Sequence, residues 1–318
     1  MVASWKLLFL SLTLSIQYLY AQNEESSNEV SWSDRNKFIK YWLEFDKYAR
    51  KISPDTDYRT RKRPPIIVEG DIATNREENL FRLGLRWDVF PLTQWKNNTV
   101  PYVISLEYTT KEYNLIQNSL KSIEFLSCLK FELWDGRKKD YLYIHPSKIK
   151  PGCWSFVGKQ GGRQDLSLRR PTKKSCYCLC NSGRILHEVL HALGFYHEHS
   201  RPDRDKFIEI VSSNVQKGKL QNFSKKTFDK TVTEFTYDYN SIMHYGSLSF
   251  SKDKIRRKKT IRPLKPGIKI GQRTMLSPID CMKLNYQFSC FSREDRWKNE
   301  KIRLICGFMG HRLNHPAS

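Results

Sequence analysis

The segment HEVLHALGFYHEH, from His187 to His199, constrains this chain more than any other. His187 and His191 stand four residues apart with Glu188 between them. On an α-helix, residues at that spacing share a face about one turn apart, so both imidazoles can aim at one point. A third ligand from the same helix would compete with them for space. Gly194 offers an exit, because glycine tolerates the left-handed conformation that ends a helix. His197 can then approach the same point from below. Three neutral imidazoles with one open position form a catalytic zinc set, unlike the closed four-ligand set of a structural site. Glu188 leans to a neighbouring part of the face. A carboxylate there suits a general base toward zinc-bound water, whose pKa falls to about 7.

A bare HExxH arises on amphipathic helices by chance. The longer HExxHxxGxxH followed by a Met-turn is the metzincin pattern. Beyond it, HEHSRPDRD (197–205) resembles the astacins, zinc endopeptidases in which glutamate follows the third histidine ligand. The resemblance continues through NVQKGKLQNFSK, YDYNSIMHYGSLSF and IGQRTMLSPID to Cys290. Upstream it takes in VPYVIS, PGCWSFVG and QDLSL, so it spans about Trp87 to Cys290.

The resemblance implies an α+β, metzincin-type catalytic domain of two subdomains. A twisted mixed sheet and two long helices lie above the cleft, with an irregular half and a C-terminal helix below it. The activity implied is that of a secreted, zymogen-type zinc endopeptidase that cuts extracellular proteins or peptides, with one Zn2+ on His187, His191 and His197 and Glu188 as the base. Tyr245, in SIMHYGS, matches a tyrosine that approaches the metal as an additional ligand and then swings to stabilise the oxyanion. A phenol has the donor for that task. Met243 matches the floor of the Met-turn, and His244 is read as packing.

IIVEGDI matches the propeptide Gly-Asp motif, with Val68 where the family has an aromatic residue. Asp71 would take the water's position on the zinc in the latent protein, as a carboxylate is a good zinc ligand. An activating protease would cut after Arg86 or Arg82. The resemblance gives Glu198 the new amino terminus as partner. A buried carboxylate needs a counter-charge, and the trimmed terminus is the one source this reading offers.

These expectations divide the chain into a signal peptide (1–21), a propeptide (22–86), the catalytic domain (87–290, its upper part ending near 194) and a short basic tail (291–318). The signal rests on Lys6, the run LLFLSLTLSI and Ala21. The run is too short and too polar to favour a membrane span. In the propeptide, Phe38, Ile39, Tyr41, Trp42 and Phe45 recur at helical spacing. The tail is shorter than the EGF-like or CUB modules that follow many astacin domains.

Eight cysteines in a secreted chain allow four bridges. The resemblance pairs Cys128 with Cys290, and Cys153 with either Cys178 or Cys180 in CYCLC. Cys176, Cys281 and Cys306 stay unassigned, and metal binding by CYCLC is disfavoured in an oxidising compartment. Asn97 and Asn222 satisfy the glycosylation sequon. The net charge of +22 is partly concentrated between Lys252 and Arg273. Such a patch suits polyanionic glycans, while no nucleic-acid module is visible. The rival reading is a non-catalytic polyanion- or matrix-binding protein on an astacin scaffold.

Overall fold

Apolar residues at helical spacing build the first helix of the computed structural model, which describes residues 64–74, 93–226, 234–291 and 296–314. All of these fall in one unit, Tyr58–Ser318. The proposed signal, the helical run at 38–45 and the cut sites at Arg82 and Arg86 lie outside the described residues.

Helix α1 (Thr110–Leu126) starts at a capping box. Thr109 Oγ1 accepts from Glu112 N–H at 3.3 Å, and the Glu112 carboxylate accepts from Thr109 N–H at 2.7 Å. Two orphan donors are thereby satisfied. Ile116, Leu120 and Ile123 are all at most 1% exposed, so each contributes about 1.5–3 kcal/mol of burial. They meet strands β3 (Thr99–Ile104), β5 (Tyr141–His145) and β7 (Arg163–Leu168) in the main core. Helix α2 (Ser182–Ala192) packs beside α1 and is capped by Asn181, whose side chain accepts from Gly183 N–H at 3.1 Å.

The sheet has seven strands in the order β1-β2-β6-β7-β5-β3-β4, where β1 is Ile66–Val68, β2 Ile72–Thr74, β4 Lys130–Leu133 and β6 Cys153–Phe156. Strands β3, β4, β5 and β7 run parallel to one another, and β6 turns antiparallel to β7. The hairpin β1–β2 extends the sheet, with β2 parallel to β6 in the register Ile72 with Ser155. The VEGD motif is therefore the turn of a hairpin added to this sheet.

After Gly194 the chain is held mainly by turns, short 3-10 segments and the small pair β8 (Ile208–Ile210) and β9 (Ile261–Pro263) around its own apolar cluster. Helix α3 (Pro278–Gln287) is capped by Ser277. The fold is α+β, as the resemblance implied. The basic tail carries a further helix, α4 (Arg296–Asn314), whose Ile302 and Cys306 enter the main core.

All eight cysteines are paired. Cys128 joins Cys290, and of the two alternatives Cys178 joins Cys153. Cys178 is fully buried and Cys180 exposed, which separates them physically. Cys176 pairs with Cys180, and Cys281 with Cys306, tying α4 to α3. Loop closure makes these bridges unequal, since Cys128–Cys290 spans 162 residues and Cys176–Cys180 only 4. Replacing both cysteines of the long bridge by serine should cost about 5 kcal/mol of stability, and of the short one about 2 kcal/mol. Urea unfolding of the two double variants checks this, and equal losses would refute it.

Candidate metal centre

Helix α2 presents His187, Glu188 and His191 from its buried face. Gly194 has φ +107°, a conformation that strains any L side chain, and it ends the helix with its N–H on His191 O at 2.7 Å. The reversal brings His197 beneath α2. Its ring centroid lies 5.4 Å from that of His187 and 4.8 Å from that of His191. Close approach is also built into the start of α2. A Cβ on Gly183 would stand 1.9 Å from Arg273 O, so only glycine seats the helix on that segment.

Each imidazole is fixed through its outer nitrogen. His187 Nδ1 donates to Ile242 O at 2.8 Å and His191 Nδ1 to Phe195 O at 2.7 Å. His197 Nδ1 donates to the Glu69 carboxylate at 2.9 Å. These bonds hold the proton on Nδ1 and leave Nε2 as the inward donor atom. The turn Ser241–Tyr245 that holds His187 is itself pinned. Asp280, in the first turn of α3, accepts from Ser241 Oγ at 2.6 Å and Ile242 N at 2.7 Å.

Asp71 enters from the β1–β2 turn. Its carboxylate lies 3.2 Å from His187 Nε2, 3.7 Å from His191 Nε2 and 3.1 Å from His197 Nε2. The four ligand atoms lie within 4.8 Å of one another. Asp71 Oδ1, His191 Nε2 and His197 Nε2 are buried and make no hydrogen bond among the described residues. Buried orphan acceptors of this kind are what a cation satisfies, and three imidazoles with a carboxylate fit Zn2+.

Electrostatics point the same way. Burial, with Arg273 adding to it, pushes His187 down to about 3, and burial lowers His191, so both rings are neutral ligands. Burial opposes the charge on Asp71, but the closeness of His197 and the hydrogen bond with His187 outweigh it and hold the carboxyl well below its usual range. Burial would lower His197 too, but Asp71 and Glu69 raise it instead.

Glu188 is 3% exposed, and its Oε2 makes no hydrogen bond among the described residues. Burial, with the Asp71 charge, pushes its carboxyl well above the carboxylate range. Met243 is buried in the main core. His244 is enclosed by Tyr245 O and Tyr237 Oη, both at 2.7 Å. Tyr245 stacks on His199 at 3.8 Å, and its hydroxyl donates to Glu69 O. Burial and nearby carboxylates keep that phenol protonated.

The expectation for Glu198 needs correction. Its buried carboxylate already accepts from Lys283 Nζ at 2.6 Å, Arg201 Nη1 at 3.1 Å and Asp238 N at 2.9 Å. Burial opposes its charge, yet Lys283 and Arg201 hold its carboxyl below the ordinary range. A trimmed terminus is thus not its sole available partner. The sequon at Asn222 also reads differently in place. Asn222 is 6% exposed and its Oδ1 accepts from Glu69 N at 3.0 Å, whereas Asn97 is exposed.

Sequence reasoning missed Glu69, Lys226, Lys283 and Arg273 at this centre. Only Glu69, inside the VEGD turn, stood beside a residue already singled out.

The family model described as Astacin, a peptidase family, matches residues 89–289. Zinc metalloproteinase nas-12 of Caenorhabditis elegans is 39% identical over 231 residues, 72% of this chain and 57% of that protein. The chain therefore spans little more than half of that relative's length. Zinc metalloproteinase nas-4 of the same organism is 40% identical over 243 residues, 76% of this chain and 72% of that protein. Among solved structures, high choriolytic enzyme 1, a hatching enzyme zinc-protease from Oryzias latipes, is 33% identical with a TM-score of 0.55. The likeness covers 62% of this chain and 94% of that one.

Removing one partner of a buried ion pair costs about 3–5 kcal/mol. Lys283→Met should lose that much in urea unfolding, while Lys283→Arg keeps most of it. A loss under about 1 kcal/mol for Lys283→Met would mean that Glu198 does not depend on this lysine.

Proposed function

The chain belongs to the astacin family of peptidases, and we propose that it is a zinc endopeptidase made latent by its own propeptide. The observation that carries this reading is the convergence of Asp71 with the buried His187, His191 and His197. Zn2+ held there by the three imidazoles would supply Lewis-acid polarisation of a peptide carbonyl and acidify water.

The chain's own residues do the rest. Glu188 takes the proton of the attacking water and delivers it to the leaving amine nitrogen. Tyr245, protonated and bonded to the pro-segment, donates its hydroxyl to the oxyanion once Glu69 O has gone. His187, His191 and His197 stay oriented by their Nδ1 bonds. Asp71 occupies the space between the imidazoles in the latent protein, so the segment must be cut and removed before a substrate can enter. Arg86 or Arg82 would serve an activating protease.

The readings of secretion and substrate class belong here as well. Support comes from the leader-like residues 1–21 and four disulfides. No helix among the described residues is long and apolar enough to cross a membrane. Lys254, Arg256 and Arg257 are exposed around Ile255, itself 96% exposed, which supports a contact with sulfated glycans beside the catalytic role.

Two variants test the proposal. In the trimmed, zinc-loaded protein, Glu188→Ala should lower kcat on a peptide substrate by about 10²–10⁴-fold, and a chelator should abolish cleavage. In the uncut chain, Asp71→Ala should raise activity at least about tenfold over wild type, equivalent to about 1.4 kcal/mol. If the trimmed protein cuts nothing that Glu188→Ala leaves intact, the non-catalytic binding scaffold is the right reading.

A further inference from the structure

The Tyr245 hydroxyl donates to Glu69 O, the only partner it has among the described residues. The backbone of Tyr245 is fixed separately. His244 Nδ1 donates to Tyr245 O at 2.7 Å, and His244 Nε2 accepts from Tyr237 Oη at 2.7 Å. Tyr237 in turn stacks on Phe207, with centroids 4.7 Å and planes 10° apart. With the backbone held, the freedom left to Tyr245 lies in its side chain, and aromatic neighbours place the ring. His199 lies face to face with it, centroids 3.8 Å apart and planes 24° apart. Phe223 meets it edge-on at 6.0 Å and 90°, and Phe250 is tilted toward it at 5.8 Å.

His199 is fully buried and held more firmly than a ring in a plain apolar wall. Its Nε2 donates to Asn222 O at 3.0 Å, which fixes the plane, and Phe223 closes on it at 5.8 Å and 67°. Its Nδ1 is buried and makes no hydrogen bond among the described residues. A histidine buried for its polar contacts would use both nitrogens. Here one nitrogen anchors the ring and the face carries Tyr245, a stacked pair that adds to plain burial. Asn222 Oδ1 also accepts from Glu69 N at 3.0 Å. One residue thus holds both the β1–β2 turn and the ring against Tyr245. Departure of that turn would take away the partner of the phenol hydroxyl and leave the shelf in place.

We propose that His199 is a positioning residue for Tyr245: its imidazole face, anchored by Asn222 O, keeps the phenol in place for the oxyanion once Glu69 O has gone. This rests on the peptidase reading and on the role given there to Tyr245. His199 itself touches no reacting atom. A preset donor needs no reorganisation when charge develops on the carbonyl oxygen. Without the shelf, a phenol released from Glu69 O would spread over several rotamers, and only a fraction of molecules would have the donor in place. The hydrogen bond at stake is made in the transition state, so its loss falls on kcat and not on KM.

The trimmed, zinc-loaded protein should be compared with His199→Gln, which keeps a donor for Asn222 O but no ring, and with His199→Phe, which keeps the ring. His199→Gln should lower kcat on a peptide substrate about tenfold, with KM unchanged within about twofold. His199→Phe should stay within about threefold of wild type. In a Tyr245→Phe background, which has no hydroxyl to position, His199→Gln should change kcat by less than about twofold. An equal loss in both backgrounds, or a wild-type kcat in His199→Gln, overturns the proposal. So does a His199→Phe variant that falls as far as His199→Gln. A second readout needs neither turnover nor a variant of His199. In protein labelled at tyrosine, the NMR signals of the Tyr245 ring, assigned by their absence from Tyr245→Phe, should keep in the trimmed protein the ring-current shift they have in the uncut chain. Loss of that shift on trimming overturns the shelf alone, whereas a trimmed wild type that cleaves nothing sinks the peptidase reading whatever the shift.

Discussion

Three hydrogen bonds on the outer nitrogens of three imidazoles are what the rest of the centre depends on. A histidine ring four residues from another can face many ways, and only a fixed Nδ1 proton makes its Nε2 a lone pair with a direction. The three acceptors come from separate places: Ile242 O in the turn, Phe195 O just past Gly194, and the Glu69 carboxylate. Much of the lower half can be traced to the first of these. Ser277 caps α3, Asp280 in its first turn grips Ser241 and Ile242, and Ile242 O orients His187.

His197 lies between two glutamate–lysine pairs that differ in permanence. Glu198 with Lys283 and Arg201 belongs wholly to the catalytic domain, buried and hydrogen-bonded on both oxygens. Glu69 with Lys226 is half borrowed, since its acid comes from the β1–β2 turn, which the proposed activation would remove. Buried charges need partners in either case. The permanent pair keeps the backbone beside His197 in place, with Glu198 N donating to Met243 O at 3.1 Å. The borrowed pair leaves a cation behind when its acid departs.

Much of this was legible in the sequence because it is local. His187, Glu188, His191 and Gly194 obey helix geometry, so spacing alone placed them. Ile116, Leu120 and Ile123 likewise recur at helical period on the buried face of α1. What escaped was long-range. Glu198 meets Lys283 from 85 residues away, and His197 meets Glu69 from 128. No periodicity reports such pairs. The choice between Cys178 and Cys180 was equally hidden, because burial and exposure change within one short 3-10 turn. The basic composition of the tail concealed a helix whose few apolar residues include Ile302 and Cys306, which enter the core.

The hairpin at the sheet edge has a consequence for kinetics. The β1–β2 hairpin is bound to β6 by backbone ladder, to the imidazoles through Asp71 and to Lys226 through Glu69. A cut anywhere between Thr74 and Trp95 severs none of these. Such a cut, if made as proposed, would convert a tethered ligand into a free one. The product would be a two-piece complex whose opening is a dissociation. Its extent then varies with dilution, and a released segment can rebind from solution to a second molecule.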